Sequence, residues 1–192
     1  MYHATQIVGD FFERKLREIF DLERADPKAL GVVPDLVSRD GSFYVEVKAS
    51  AYDNGGVINR GQLYRFDEGI DVRRFYAFAY HSIARHMQRD YPTEKGLRSA
   101  LGLKSLFLFP FSITKAHFEN SKKRKHPKHD DFVQLRESLA QRVFGLDEEI
   151  WEHLGLEKEK YQMTRPHEKI HIVSREGYLE QQILDSFHPD LI

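Results

Sequence analysis

Residues 32–50 read VVPDLVSRDGSFYVEVKAS. Two runs of β-type residues, VVPDLVS (32–38) and SFYVEVKAS (42–50), flank Asp40-Gly41. Asp-Gly between such runs predicts a hairpin, because both residues tolerate the positive φ that a type I′ turn requires. With Asp40 and Gly41 as the turn, Arg39 pairs with Ser42 and every further pair of positions sums to 81, which sets Asp35 opposite Glu46. Opposed residues share a face, with Cβ atoms about 4.5–5.5 Å apart. Lys48, two residues on, falls on that face too. The other face then carries Leu36, Phe43, Val45 and Val47, so one side of the hairpin is apolar and the other holds two carboxylates and an ammonium.

Two carboxylates at that spacing repel each other unless a positive charge lies between them. A hard divalent cation of the Mg²⁺ or Mn²⁺ type suits them, since it takes oxygen ligands and is commonly held by one or two carboxylates with water and substrate phosphate. Lys48 is then placed to orient or deprotonate an attacking water, or to offset developing negative charge. Together these parts describe metal-assisted phosphodiester hydrolysis. The plain alternative for Asp35, Glu46 and Lys48 is an exposed sheet face with a cross-strand ion pair.

Outward from the hairpin, residues 4–22 place Ile7, Val8, Phe11, Phe12, Leu16, Ile19 and Phe20 at helical spacing, and Ala25 to Gly31 reads as a loop. AYDNGGVINR is a glycine-containing loop, in which Asn54 is a candidate phosphate-backbone contact, and GQLYRFDEG gives about two turns of helix. RRFYAFAYHS (73–82) and SLFLFPFS (105–112, closed by Pro110) are apolar runs of strand length, with loop and helix between them. Strands separated by helical segments predict crossover units and a mixed sheet with helices packed on it. Beyond Thr114, KAHFENSKKRKHPKHDD reads as a basic loop over 121–129, followed by two short helices in 132–155, an edge strand in EKIHIVSR (168–175) and a terminal helix in YLEQQILDSF (178–187).

The chain of 192 residues suits one domain with a sizeable core. With 12% aromatic residues and a net charge of -1, it lacks the low hydrophobicity and high charge of a disordered chain. The absence of cysteine excludes a disulfide scaffold, a thiolate zinc site and a cysteine nucleophile. The charged N-terminal stretch resembles neither a signal peptide nor a membrane span, so no membrane partner and a cytoplasmic location are expected. No phosphate loop of glycines, G-x-S-x-G or H-E-x-x-H is found.

The succession of the first helix, GVVPDLV, FYVEVKAS, GQLYRF and FYAFAY resembles the PD-(D/E)XK nuclease superfamily, over about residues 4 to 112. The resemblance implies an α/β restriction-endonuclease-like core, a central mixed β-sheet flanked by helices (1–114), with a C-terminal α-rich elaboration (115–192). It implies that Asp35 and Glu46 bind Mg²⁺ or Mn²⁺, that Val47 adds its backbone carbonyl, and that Lys48 assists catalysis. By the same resemblance Glu13 of the first helix, similar in context to archaeal Holliday-junction resolvases, is a further metal ligand, and Gln62 a helical site residue. Read without it, Glu13 is one of several exposed helix acids, with Glu18 a competitor, and Gln62 a surface helix residue.

Lys122, Lys123, Arg124, Lys125 and Lys128 make the one concentrated run of positive charge, a candidate nucleic-acid contact or a solvated loop. By segment, residues 1–102 hold 15 basic and 15 acidic residues, 103–130 hold 7 and 2, and 131–192 hold 7 and 13. The near-zero total thus hides a dipolar layout, with DNA contact expected from the hairpin toward 122–128. The histidines have no acidic or thiol partners at metal spacing. The expected function is a divalent-metal-dependent endonuclease acting on double-stranded or branched DNA, with a homodimer as a candidate assembly. The alternatives are a non-catalytic nucleic-acid-binding or assembly module with the same fold, and a structure-selective junction resolvase.

Overall fold

The computed structural model describes residues 3–26, 34–67, 74–83, 87–126, 129–176 and 180–192. The first helix, α1 (Ala4–Ile19), forms because its apolar residues recur along one face, and Ile7, Val8, Phe12, Leu16 and Ile19 of that face are buried. It is shorter than the pattern predicts. Asp21 takes a positive φ of 48° and the chain enters a short strand, β1 (Leu22–Arg24), that the sequence does not announce.

β2 (Leu36–Ser38) and β3 (Tyr44–Ala51) form the expected antiparallel hairpin, with Leu36 opposite Val45 and Val37 opposite Tyr44, the register in which positions sum to 81. The turn differs from expectation. Only Gly41 takes a positive φ, at 70°, and its N–H donates to the Ser38 carbonyl at 2.9 Å, while the Ser38 N–H donates to the Phe43 carbonyl. Residues 39–42 therefore make a four-residue connection built on the Asp40 side chain, which accepts from the Ser42 N–H (2.9 Å) and the Ser38 hydroxyl (2.7 Å). Two- and four-residue connections preserve the same pairing parity, so the faces are as expected although the turn is not. Leu36, Phe43 and Val45 are buried in the core, with Val47 packed against it.

β3 leads through residues 52–55 to β4 (Gly56–Asn59) and α2 (Arg60–Asp67), then to β5 (Arg74–His81), which lies parallel to β3 with Glu46 beside Tyr76. After α3 (Met87–Asp90) and α4 (Glu94–Ala100), β6 (Leu103–Pro110) returns antiparallel to β5. Two more strands, β9 (Tyr161–His167) and β10 (Ile170–Arg175), complete a seven-stranded mixed sheet in the order β1-β2-β3-β5-β6-β10-β9. EKIHIVSR is thus not the edge: β10 lies parallel to β6 and buried, and the more exposed β9 covers it.

The second half departs most from its sequence reading. Pro110 does close β6, but Phe111–Asn120 is a helix, α5. Part of the basic run is strand: β7 (Arg124–His126) and β8 (His129–Leu135) pair, and β8 also pairs with β4, giving a second sheet of order β4-β8-β7. The expected helix pair is present as α6 (Glu137–Phe144) and α7 (Glu148–Leu154), and the terminal helix as α8 (Glu180–Asp185). Among the described residues, 115–192 carry four strands beside these helices, and two of the strands join the central sheet.

α1 covers one face of the large sheet in a cluster with Val45, Leu106, Leu108 and Ile172. On the other face Tyr76, Phe78, Phe107 and Phe109 pack with Ile58, Leu63, Val133, Leu135 and Trp151. Hydrophobic burial on both faces explains why the interior strands read as continuous apolar runs. Among the described residues no helix is long and apolar enough to cross a membrane.

Candidate functional site

Glu46 and Lys48 project from the same face of β3, and Lys48 Nζ donates to Glu46 Oε1 at 2.6 Å. Both side chains are nearly enclosed, with exposures of 9% and 11%. Between them in sequence, the Val47 N–H donates to Asp35 Oδ2 at 2.7 Å. Asp35 precedes β2 and is half-buried; its carbonyl accepts the Ala25 N–H. The hairpin register and this bond bring Asp35 to Glu46 and Lys48.

Gln62 completes the group through the local chemistry of the β4–α2 junction. The Asn59 side chain caps α2 by accepting the Gln62 N–H at 2.8 Å, and its amide donates back to Gln62 Oε1 at 2.7 Å. Fixed in this way, Gln62 Oε1 also accepts from Lys48 Nζ at 2.9 Å. Asn59-x-x-Gln62 is a capping-box spacing, a signal in the sequence that identifies Asn59 as a positioning residue.

Burial pushes the Glu46 carboxyl above its ordinary range; the Lys48 charge opposes this and Asp35 adds to it. Glu13 is also raised, by burial and then by Asp35, against the lowering effect of Arg24, whose guanidinium lies 3.2 Å from Glu13 Oε2. Asp35 is thus the charge that both glutamates feel. The hydroxyl of Tyr76 is driven up by burial and by Glu46 and Asp35. Tyr76 is a neighbour that sequence could not identify, because nothing in RRFYAFAYHS sets its parallel register against β3.

Two hard carboxylates that each raise a neighbour's pKa, beside the nearly enclosed Lys48 ammonium, are chemically suited to a small divalent cation. If one binds, Asp35, Glu46 and the Val47 carbonyl are the groups that could hold it. Among the described residues no three His, Cys, Asp or Glu side chains converge at metal spacing. Glu13, paired with Arg24, therefore stands beside the two-carboxylate set as an electrostatic neighbour.

Close packing explains the Gly55-Gly56 pair that leads into β4. A Cβ there would meet Phe78 Cδ1 at 2.8 Å and Lys48 Cβ at 3.2 Å, so β4 crosses directly over the Lys48 stem. Gly55, at φ 98°, lies against the Leu135 carbonyl, and Asn54 Oδ1 accepts from Gln134 Nε2 at 3.3 Å.

The basic residues divide. Lys123 turns back, donating to the Glu119 carbonyl and lying over the Phe118 ring, whereas Arg124 donates to Gln134 Oε1 at 2.6 Å. Lys122 and Lys125 are exposed, and Lys128 lies outside the described residues. Of the histidines, His81 stacks on Phe12, and His171 lies between Phe107 and Phe144 with Arg165 donating to its Nδ1.

No family model, curated protein or solved structure matches this chain.

Proposed function

We propose that the protein is a divalent-metal-dependent endonuclease of the restriction-endonuclease-like fold, hydrolysing phosphodiester bonds in duplex or branched DNA. The observation that carries this reading is the hydrogen-bonded Asp35–Glu46–Lys48–Gln62 group, in which the charged Glu46 and Lys48 side chains are almost enclosed. An ornamental surface ion pair is normally solvent-exposed and contributes little, whereas burying these charges costs free energy that function can explain.

Asp35, Glu46 and the Val47 carbonyl would hold the cation, which when bound would supply positive charge against the phosphate and acidify water. Lys48, fixed between Glu46 and Gln62, orients the attacking water and offsets the negative charge that develops on the phosphate. Gln62 and Asn59 hold the ammonium in place. Glu13 strengthens the negative field without being required as a ligand. The exposed cations of the β7–β8 hairpin hold the DNA backbone.

The test is incubation of the purified chain with supercoiled, linear, single-stranded, flap and four-way-junction DNA, with Mg²⁺ and with Mn²⁺. Cleavage that disappears in Glu46→Gln and Lys48→Ala is expected. Salt-dependent DNA binding with no hydrolysis of any form would point instead to a non-catalytic binding module. Symmetric incision confined to four-way junctions would identify a resolvase.

A further inference from the structure

We propose that the open face of the β4-β8-β7 sheet is a phosphate-backbone platform for duplex DNA, on which Gln134 aims Arg124 at a phosphate a few nucleotides from the one held at Lys48. This rests on the nuclease reading above. The alternation of strands divides the small sheet into two faces. Ile58, Val133 and Leu135 point into the core and are buried. Asn59, Phe132 and Arg124 stand in one row across the three strands, with Asn59 paired to Phe132 and Phe132 to Arg124, and Val57 beside Gln134 forms the next row. These residues make the outer face.

The row begins at the candidate site. Asn59 holds Gln62, and Gln62 holds Lys48. Two strand spacings, on the order of 10 Å, separate Asn59 from Arg124 along the row. At an axial rise of about 3.4 Å per nucleotide, a DNA strand on this face would reach Arg124 a few nucleotides beyond the phosphate at Lys48. Arg124 is exposed, yet its direction is set, because Gln134 accepts one of its five N–H donors and is itself tied to Asn54. A solvated loop has no need of such an anchor. Lys123, which turns to the opposite side, shows that the cations of this run are not equivalent.

The test uses the full chain carrying Asp35→Asn, so that binding is read without cleavage, and a labelled 30-base-pair duplex at several NaCl concentrations. Arg124→Ala should weaken binding about tenfold at low salt and reduce the slope of log K against log salt by about one. Gln134→Glu keeps the acceptor for Arg124, gives up the Nε2 donor to Asn54 and offsets the guanidinium charge, so it should reproduce both effects in a chain that still unfolds cooperatively. A purely structural role for Gln134 would leave the slope alone. Arg124→Lys should restore the slope. A scan of single methylphosphonates should show one position whose penalty disappears in Arg124→Ala. Affinity and slope unchanged in both Arg124→Ala and Gln134→Glu would overturn the platform. If the wild-type chain cuts DNA while these variants bind normally, the platform fails and the nuclease reading stands; the salt-slope changes without any cleavage by wild type give the converse.

Discussion

The Asp35 carboxylate is bonded to the backbone N–H of Val47, the residue between Glu46 and Lys48. One side chain thus ties the two strands together at the point where their charged residues meet, and its charge also raises both Glu46 and Glu13. Asp35→Asn keeps an acceptor for Val47 while removing that charge, so it should be folded, inactive and more stable than wild type at pH 7. Asp35→Ala removes the acceptor as well and should cost about 1–3 kcal/mol relative to Asp35→Asn. Urea unfolding of both variants checks the order. Added Mg²⁺ should raise the melting temperature of wild type and leave that of Asp35→Asn unmoved.

Gly56 separates packing from chemistry. A methyl group there meets Phe78 and Lys48 Cβ, so Gly56→Ala should push β4 off the sheet and carry Asn59 and Gln62 with it. The expected result is a loss of about 1–3 kcal/mol, typical of overpacking, with a disproportionate loss of cleavage. Activity that falls no more than the folded fraction would refute the link.

Protonation should act in two opposing directions. Glu46 and Glu13 ionise at higher pH in the fold than the ordinary 4.5. The folded chain therefore holds more protons than the unfolded chain above that pH, and their contribution to stability, complete below pH 4.5, is lost as pH rises through the folded values. His81 acts the other way, because burial pushes it from 6.5 down to about 4, against the opposing influence of the Ile83 backbone and Asp53. Its contribution is complete above pH 6.5 and is lost as pH falls through about 4. The drop corresponds to on the order of 3 kcal/mol. His81→Phe, which preserves stacking on Phe12, should lose less stability than wild type between pH 6.5 and 4, and Glu13→Gln should lose less between pH 4.5 and 7. Parallel unfolding curves across pH would refute either assignment.

The hairpin was legible because a local signal and a global one agreed. Asp-Gly announced the reversal, and the period-two pattern fixed which side chains share a face, so even an incorrect turn type left Leu36 opposite Val45, with the Asp35 carboxylate at the Val47 N–H. What was not legible depends on long-range pairing. β1 is three residues long, and β9 alternates too weakly to be recognised before β10 is known to need a neighbour. The basic run carries few β-branched residues and reads as a solvated loop; Arg124–His126 within it form a strand because β8 pairs on both sides, with β4 and with β7. Arg124 and Gln134 meet only through that pairing.

In the proposed reaction Lys48 is the catalytic residue and Gln62 a positioning residue, and their variants separate the two roles. Lys48 Nζ lies between Glu46 Oε1 and Gln62 Oε1, and Asn59 holds the latter. Lys48→Met removes the ammonium and the charge that lowers Glu46, so the carboxyl should rise further and kcat should drop by about 10²–10⁴. Gln62→Ala leaves the ammonium present but less constrained, so kcat should fall about tenfold with KM unchanged. Because Asn59 acts on Lys48 only through Gln62, Asn59→Ala should reproduce that loss in part, and combining it with Gln62→Ala should add little more. Additive losses in the double variant, or a change confined to KM, would show that Gln62 contacts the substrate instead of positioning the lysine.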